Sequence, residues 1–123
     1  MSAHKLPDPG ELRRRVTFQQ RTAGQDAAGG ILAGWADAFG AFAKVDPLTG
    51  RELLAAQAVH AEITVEVYVR WRPELADPRT AARYRILYGT RRLNILSVID
   101  IDDRRHFVVL QCSEGLFDQE SQP

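Results

Sequence analysis

One stretch leaves the chain little choice of secondary structure. Ile63, Val65, Val67, Val69 and Trp71 alternate with Thr64, Glu66, Tyr68, Arg70 and Arg72. A period of two puts the first set on one side of a β-strand and the second on the other, whereas a helical projection scatters both. Slipping the register by one residue would turn every apolar side chain outward, so burial of one face also sets the pairing.

Weaker copies of the same pattern surround it. Leu12 to Arg21 alternates with Val16 and Phe18 facing inward, and Trp35 to Val45 follows as a second strand in which Gly40 marks a bulge. The glycine-rich stretch from Gly24 to Gly34 between them reads as a loose hairpin connection with a mobile tip. Pro73 to Arg79, bracketed by prolines, reads as a loop. A meander closes the pattern: Tyr84 to Tyr88, a turn at Gly89-Thr90, Arg92 to Ile101, a turn at Asp102-Asp103, then Arg105 to Ser113. The expected fold is mainly β, a small antiparallel barrel or closed sandwich of about six strands with one short helix in a long inserted loop. A chain of 123 residues suits one domain, with its core over about 11–115 and flexible ends.

The helix is expected just after the second strand. In Leu48-Thr49-Gly50-Arg51-Glu52-Leu53, Thr49 and Glu52 have the spacing of a reciprocal capping box, and Leu48 can pack on Leu53. Leu53 to His60 continues with good helix formers, which predicts about eleven residues of helix. Its alanines bury little area, so it depends on a neighbour or moves.

Charge is zero in sum and uneven in place. Sixteen Lys and Arg balance sixteen Asp and Glu, which argues against non-specific nucleic-acid binding. Between Arg70 and Arg92, however, seven arginines (70, 72, 79, 83, 85, 91, 92) meet two acids, while from Leu93 to Pro123 two arginines meet six acids. A basic and an acidic stretch on one chain suit head-to-tail association, and the arginines also suit a phosphate backbone. The residues alone leave both open.

No constellation points to catalysis or a cofactor. Asp100, Asp102 and Asp103 lack the spacing of a calcium loop and read as a turn. His4, His60 and His106 are far apart, Gly29-Gly30 does not lead a strand into a helix, and Cys112 lies in an apolar strand without a His partner signature. One cysteine also excludes an intrachain disulfide and a thiolate-rich zinc site. No metal, cofactor or enzymatic role is expected. Neither a secretory signal nor a membrane span is expected from the short apolar runs.

The order of these signals resembles a known family. Leu12-Arg13-Arg14-Arg15-Val16-Thr17-Phe18-Gln19, the glycine loop, the Trp35 strand and Ala43-Lys44-Val45-Asp46-Pro47-Leu48-Thr49-Gly50-Arg51-Glu52 are similar to the head–tail joining proteins of long-tailed bacteriophages. Ile63-Thr64-Val65, Val69-Arg70-Trp71-Arg72, Arg85 to Ile95 and Asp100 to Cys112 keep that family's order, so the resemblance covers about 11–115.

The resemblance implies a structural protein of the virion neck, a stopper or head-completion subunit of a phage or a phage-like gene transfer agent, assembled in the bacterial cytoplasm. It implies a ring, six-fold favoured and twelve-fold possible, with portal and adaptor proteins above, tail-terminator or tail proteins below, and packaged double-stranded DNA in the channel. The connection that projects toward the channel in the family falls here on Asp46, Pro47, Leu48, Thr49, Gly50, Arg51, Glu52, Gln57, His60 and Glu62. Arg70, Arg72, Arg83, Arg85, Arg91 and Arg92 are the expected subunit or DNA contacts. The alternative is a small β-barrel that binds nucleic acid directly through the arginine face.

Overall fold

The alternating stretches form strands that close on themselves. In the computed structural model, which describes residues 4–25 and 31–115, the elements run β1 (Arg14–Gln25), β2 (Ile31–Pro47), α1 (Gly50–Gln57), β3 (Val65–Arg70), α2 (Pro78–Ala81), β4 (Tyr84–Tyr88), β5 (Arg91–Asp100) and β6 (Phe107–Gly115). Neighbours pair in the closed order β1-β2-β3-β6-β5-β4, and β4 returns to β1. Every pairing is antiparallel. Closure leaves no sheet edge along the barrel wall except where strands part.

Inward residues fill the lumen. Val16 and Phe18 of β1, Val65, Val67 and Val69 of β3, Ile86 of β4, Leu93 and Ile95 of β5, and Val108, Leu110 and Cys112 of β6 form one buried cluster. Phe39 stacks on Phe18 at 4.6 Å between ring centroids and extends it. The segment expected to be a proline-bracketed loop instead makes a 3₁₀ turn (Pro73–Leu75) and α2. Asp77 caps α2 by accepting from the Arg79 amide, and the two turns drive Leu75 and Ala81 into the end of the barrel. The prolines start helical turns here because each stands in a first turn, where a missing N–H costs nothing.

Two irregularities redirect side chains. The β1–β2 ladder passes from Phe18 opposite Phe39 to Gln19 opposite Asp37, so the unpaired residue is Ala38, not Gly40. Gly40 pairs with Thr17, and Arg15 lies against it, 3.4 Å from where a Cβ would stand. In β5 the ladder skips Leu96, whose side chain leaves the main core and joins Leu48, Leu53, Ala56 and Ile63 in a separate small core.

The first hairpin is longer than expected. The β1–β2 ladder continues to Gln25 opposite Ile31, whereas β1 pairs with β4 only from Thr17 to Gln20. A two-stranded ribbon therefore runs past the barrel for five residues of β1, about 16 Å. The glycine tip at 26–30 lies outside the described residues.

Candidate functional site

The inserted segment between β2 and β3 is anchored at both ends. Asp46 and Pro47 are the last rungs of β2, opposite Glu66 and Val65. The Leu48 amide donates to the Thr64 carbonyl at 3.0 Å, so the chain enters and leaves the insertion at one place. Gln57 closes the far side by donating to the Ile63 carbonyl at 3.0 Å. Helix α1 has eight residues rather than the expected eleven.

The expected capping box does not form. Thr49 is the N-cap residue with φ −141° and ψ 160°, yet its side chain makes no cap hydrogen bond. Gly50 follows at φ +58°. That left-handed step turns the chain into the helix and is a conformation in which a side chain is strained. Leu53, Ala56, Leu48 and Ile63 face inward onto Leu96, while Leu54 is 71% and Val59 74% exposed. Arg51 and Glu52 are exposed with them, as are Thr49 and Glu62; Gln57 and His60 are half-buried. Of the ten insertion residues singled out from the sequence, Leu48 is buried.

The polar face of β3 is covered rather than solvated. Glu66 and Tyr68 are buried beneath the N-terminal segment and α1. His4 meets the Glu66 carboxylate at 2.8 Å and Gln111 donates to the same oxygen at 3.0 Å. Burial opposes the charged form of Glu66, but the bonds from His4 and Gln111 prevail and hold its carboxyl below the usual range. The bond to Glu66 likewise raises His4. Burial, aided by Glu66 and Asp46, pushes the Tyr68 hydroxyl up to about 12. Cys112 is fully buried, and burial pushes its thiol well above the ordinary value, which makes it a packing residue.

The arginines split into those committed within the chain and those presented outside. Arg85 is buried: its Nε donates to Gln19 at 2.9 Å, and its guanidinium lies 4.3 Å from the Trp35 ring centroid. It therefore offers no open contact surface, contrary to its expected role. Arg91 grips Glu114 through two bonds of 3.0 and 2.8 Å, so part of the basic stretch is balanced by the acidic stretch of its own chain. Arg72 is paired with Glu74 at 3.2 Å and lies over Phe39 at 3.9 Å. Arg92 is half-buried, and Arg70 and Arg83 are exposed. The turn aspartates bind backbone, Asp102 accepting from the Arg104 amide and Asp100 from the Arg105 amide. This is the turn role expected for them.

A feature without a sequence signal lies beside Arg70 and Arg72. The β2–β3 ladder ends at Lys44 opposite Tyr68, and beyond it the strands part around a slot of about 470 Å³ lined by Pro9, Leu12, Gly40–Phe42 and Arg70–Arg72. Alternation specifies which face a residue takes but not where two ladders separate.

Comparison with known proteins places this arrangement. The sequence profile of the phage head completion proteins matches residues 7–115. The chain belongs to that family. It is a family of structural proteins of the phage particle, not of enzymes. The chain is 30% identical over 92 residues to head completion protein gp7 of Enterobacteria phage HK97, a match spanning 75% of this chain and 80% of the relative. Among solved structures, the solution structure of protein SF1141 from Shigella flexneri 2a superposes with a TM-score of 0.70 at 30% identity, covering 89% of this chain and 97% of that one. A chain from the virion of a native gene transfer agent superposes with a TM-score of 0.53 at 23% identity, over 85% and 96% of the two chains, and shares the fold.

Proposed function

We propose that this head completion protein is a head–tail connector subunit that acts by assembling as a ring in the neck of a phage or phage-like particle, after synthesis in the bacterial cytoplasm. The ring sits beneath the portal and its adaptor, surrounds the exit path of packaged DNA and docks the tail. The insertion from Asp46 to Glu62 faces the channel or the next ring. The observation that carries this reading is the state of α1 within a family of head completion proteins. The helix rests on a core of only a few side chains, and Leu54 within it and Val59 just past its end stand out in solvent. Large apolar side chains left exposed on a segment tied to the barrel at both ends suit a surface that is covered in an assembly.

The test replaces both residues, Leu54→Ser with Val59→Ser, in the host that makes the particles. Surface changes of this kind shift stability by about 0.5 kcal/mol or less, so the purified variant should melt with the wild type. Electron microscopy of the particles should show heads without tails or heads that have lost DNA. Normal tailed, filled particles would refute the role given to α1, and particles lacking the chain altogether would refute the connector reading.

A second reading has one observation in its favour. Arg70, Arg72 and Arg105 each lie over an aromatic ring, Phe107, Phe39 and Trp71 respectively, and aromatic-backed guanidiniums suit nucleic acid. Direct binding by the isolated chain would weaken steeply as salt rises.

A further inference from the structure

The slot between β2 and β3 has the features of a strand acceptor. On one side β2 has no outer strand partner from 36 to 43 among the described residues, so its backbone groups there are open to pairing. On the other side β3 and the residues after it present two different faces. Trp71 shares the inward parity of Val67 and Val69 and packs against the core, whereas Arg70 and Arg72 share the outward parity. Phe42 is 55% exposed at the mouth, with Arg15 over its ring at 5.5 Å. An occupant that fits is an extended segment with an apolar residue directed inward and, next to it, an acid directed outward toward the exposed Arg70.

The chain carries such a segment just past β6: Leu116-Phe117-Asp118-Gln119-Glu120. Phe117 has one parity and the next residue, Asp118, the other, matching Trp71 beside Arg70. The described chain ends at Gly115, at the opposite end of β6 from the slot. Arg70 stands opposite Phe107, the first residue of β6, and Gly115 is the last, eight residues on. The two are about 26 Å apart, while Asp118, three residues past Gly115, reaches about 10 Å. The complementary acid must come from another molecule.

We propose that the slot receives residues 116–120 of a second copy of the chain, which add a strand to the open edge of β2 with Phe117 toward Trp71 and with Asp118 toward Arg70. Strand addition supplies backbone bonds, and the pockets supply the choice of partner. Because donor and acceptor lie at opposite ends of each copy, the contact is heterologous, and it closes into a ring where the rotation permits.

The test uses the full chain with p-benzoylphenylalanine in place of Phe117. Two forms of different mass are mixed in solution and also co-expressed in the host so that both enter particles. On irradiation, cross-links should join different copies and map to 40–42 or 69–72. Arg70→Glu in the acceptor should reduce their yield about tenfold, and Asp118→Arg in the donor should restore it. Cross-links confined to one copy, cross-links elsewhere, none at all, or a yield indifferent to charge would overturn the proposal. Protection of Trp71 by a DNA fragment, lost with salt, would reassign the slot to nucleic acid. A chain found in particles but without the inter-copy cross-link sinks this inference alone; one that cross-links at the slot in solution but is absent from particles sinks the connector reading alone.

Discussion

The barrel and the insertion stand on cores of different size. Inside the barrel, side chains from all six strands meet, with Phe18, Ile86, Leu93 and Leu110 excluded from water entirely. Beneath α1, the buried side chains are Leu48, Ala56 and Ile63, with Leu53 and Leu96 half-covered beside them. The first core can define a fold; the second can only hold a short helix in place. The difference shows where stability and adaptability reside, because segments with few buried contacts open at lower free energy than the body they rest on.

Three changes break or sharpen that contrast. The largest effect is expected from Phe18→Ala, which empties the centre of the barrel and removes the stack on Phe39; a loss of about 3–5 kcal/mol in global stability, read by denaturant titration, is expected. A loss below about 1 kcal/mol would deny Phe18 its place in the main core. Ile63→Ala comes next, at about 2–3 kcal/mol. Its signature is regional: amide exchange should accelerate across 48–63 more than in β3 or β6, and uniform acceleration would mean that the two cores are one cooperative unit.

The smallest effect concerns the N-terminal strap at His4 and Glu66. Glu66 has a lowered pKa when folded, so its contribution is complete above the ordinary carboxylate value of 4.5 and is lost as pH falls through the folded value. His4 has a raised pKa, so its contribution is complete below 6.5 and is lost as pH rises through the folded value. The strap should be held best between those two limits. Amide exchange near His4 should be slowest there and faster on both sides, and Glu66→Gln should flatten the profile. A profile already flat in the unaltered chain would show that the ion pair does not hold the strap.

Much of the barrel is legible in the sequence because alternation reports burial directly. Val65, Val67 and Val69 are buried as their pattern requires, and the strand from Tyr84 to Tyr88 has the expected limits. The misreadings have physical causes. Glu66 and Tyr68 belong to a polar face by pattern, but a segment more than sixty residues away in sequence covers them. Pro73 to Arg79 holds too few residues to show a helical period, yet two prolines in first-turn positions start helical turns. The Thr49 cap is displaced by the left-handed Gly50. Arg85 reads as surface charge, but Gln19 and Trp35 give it both a hydrogen bond and a flat ring to lie on. Of the candidate site, the position of the insertion is visible in advance. The slot is not, because it arises where two strands diverge.

The bond from the Leu48 amide to the Thr64 carbonyl joins the two ends of the insertion at a single point on the rim. To the strands below, everything between those residues is a cassette with one socket. The entropy of closing a loop grows only slowly with its length, so cassettes of other lengths and shapes can be exchanged there without rebuilding the barrel, provided that an apolar side chain at position 96 meets them. One scaffold can in this way vary its insertion while its walls stay the same.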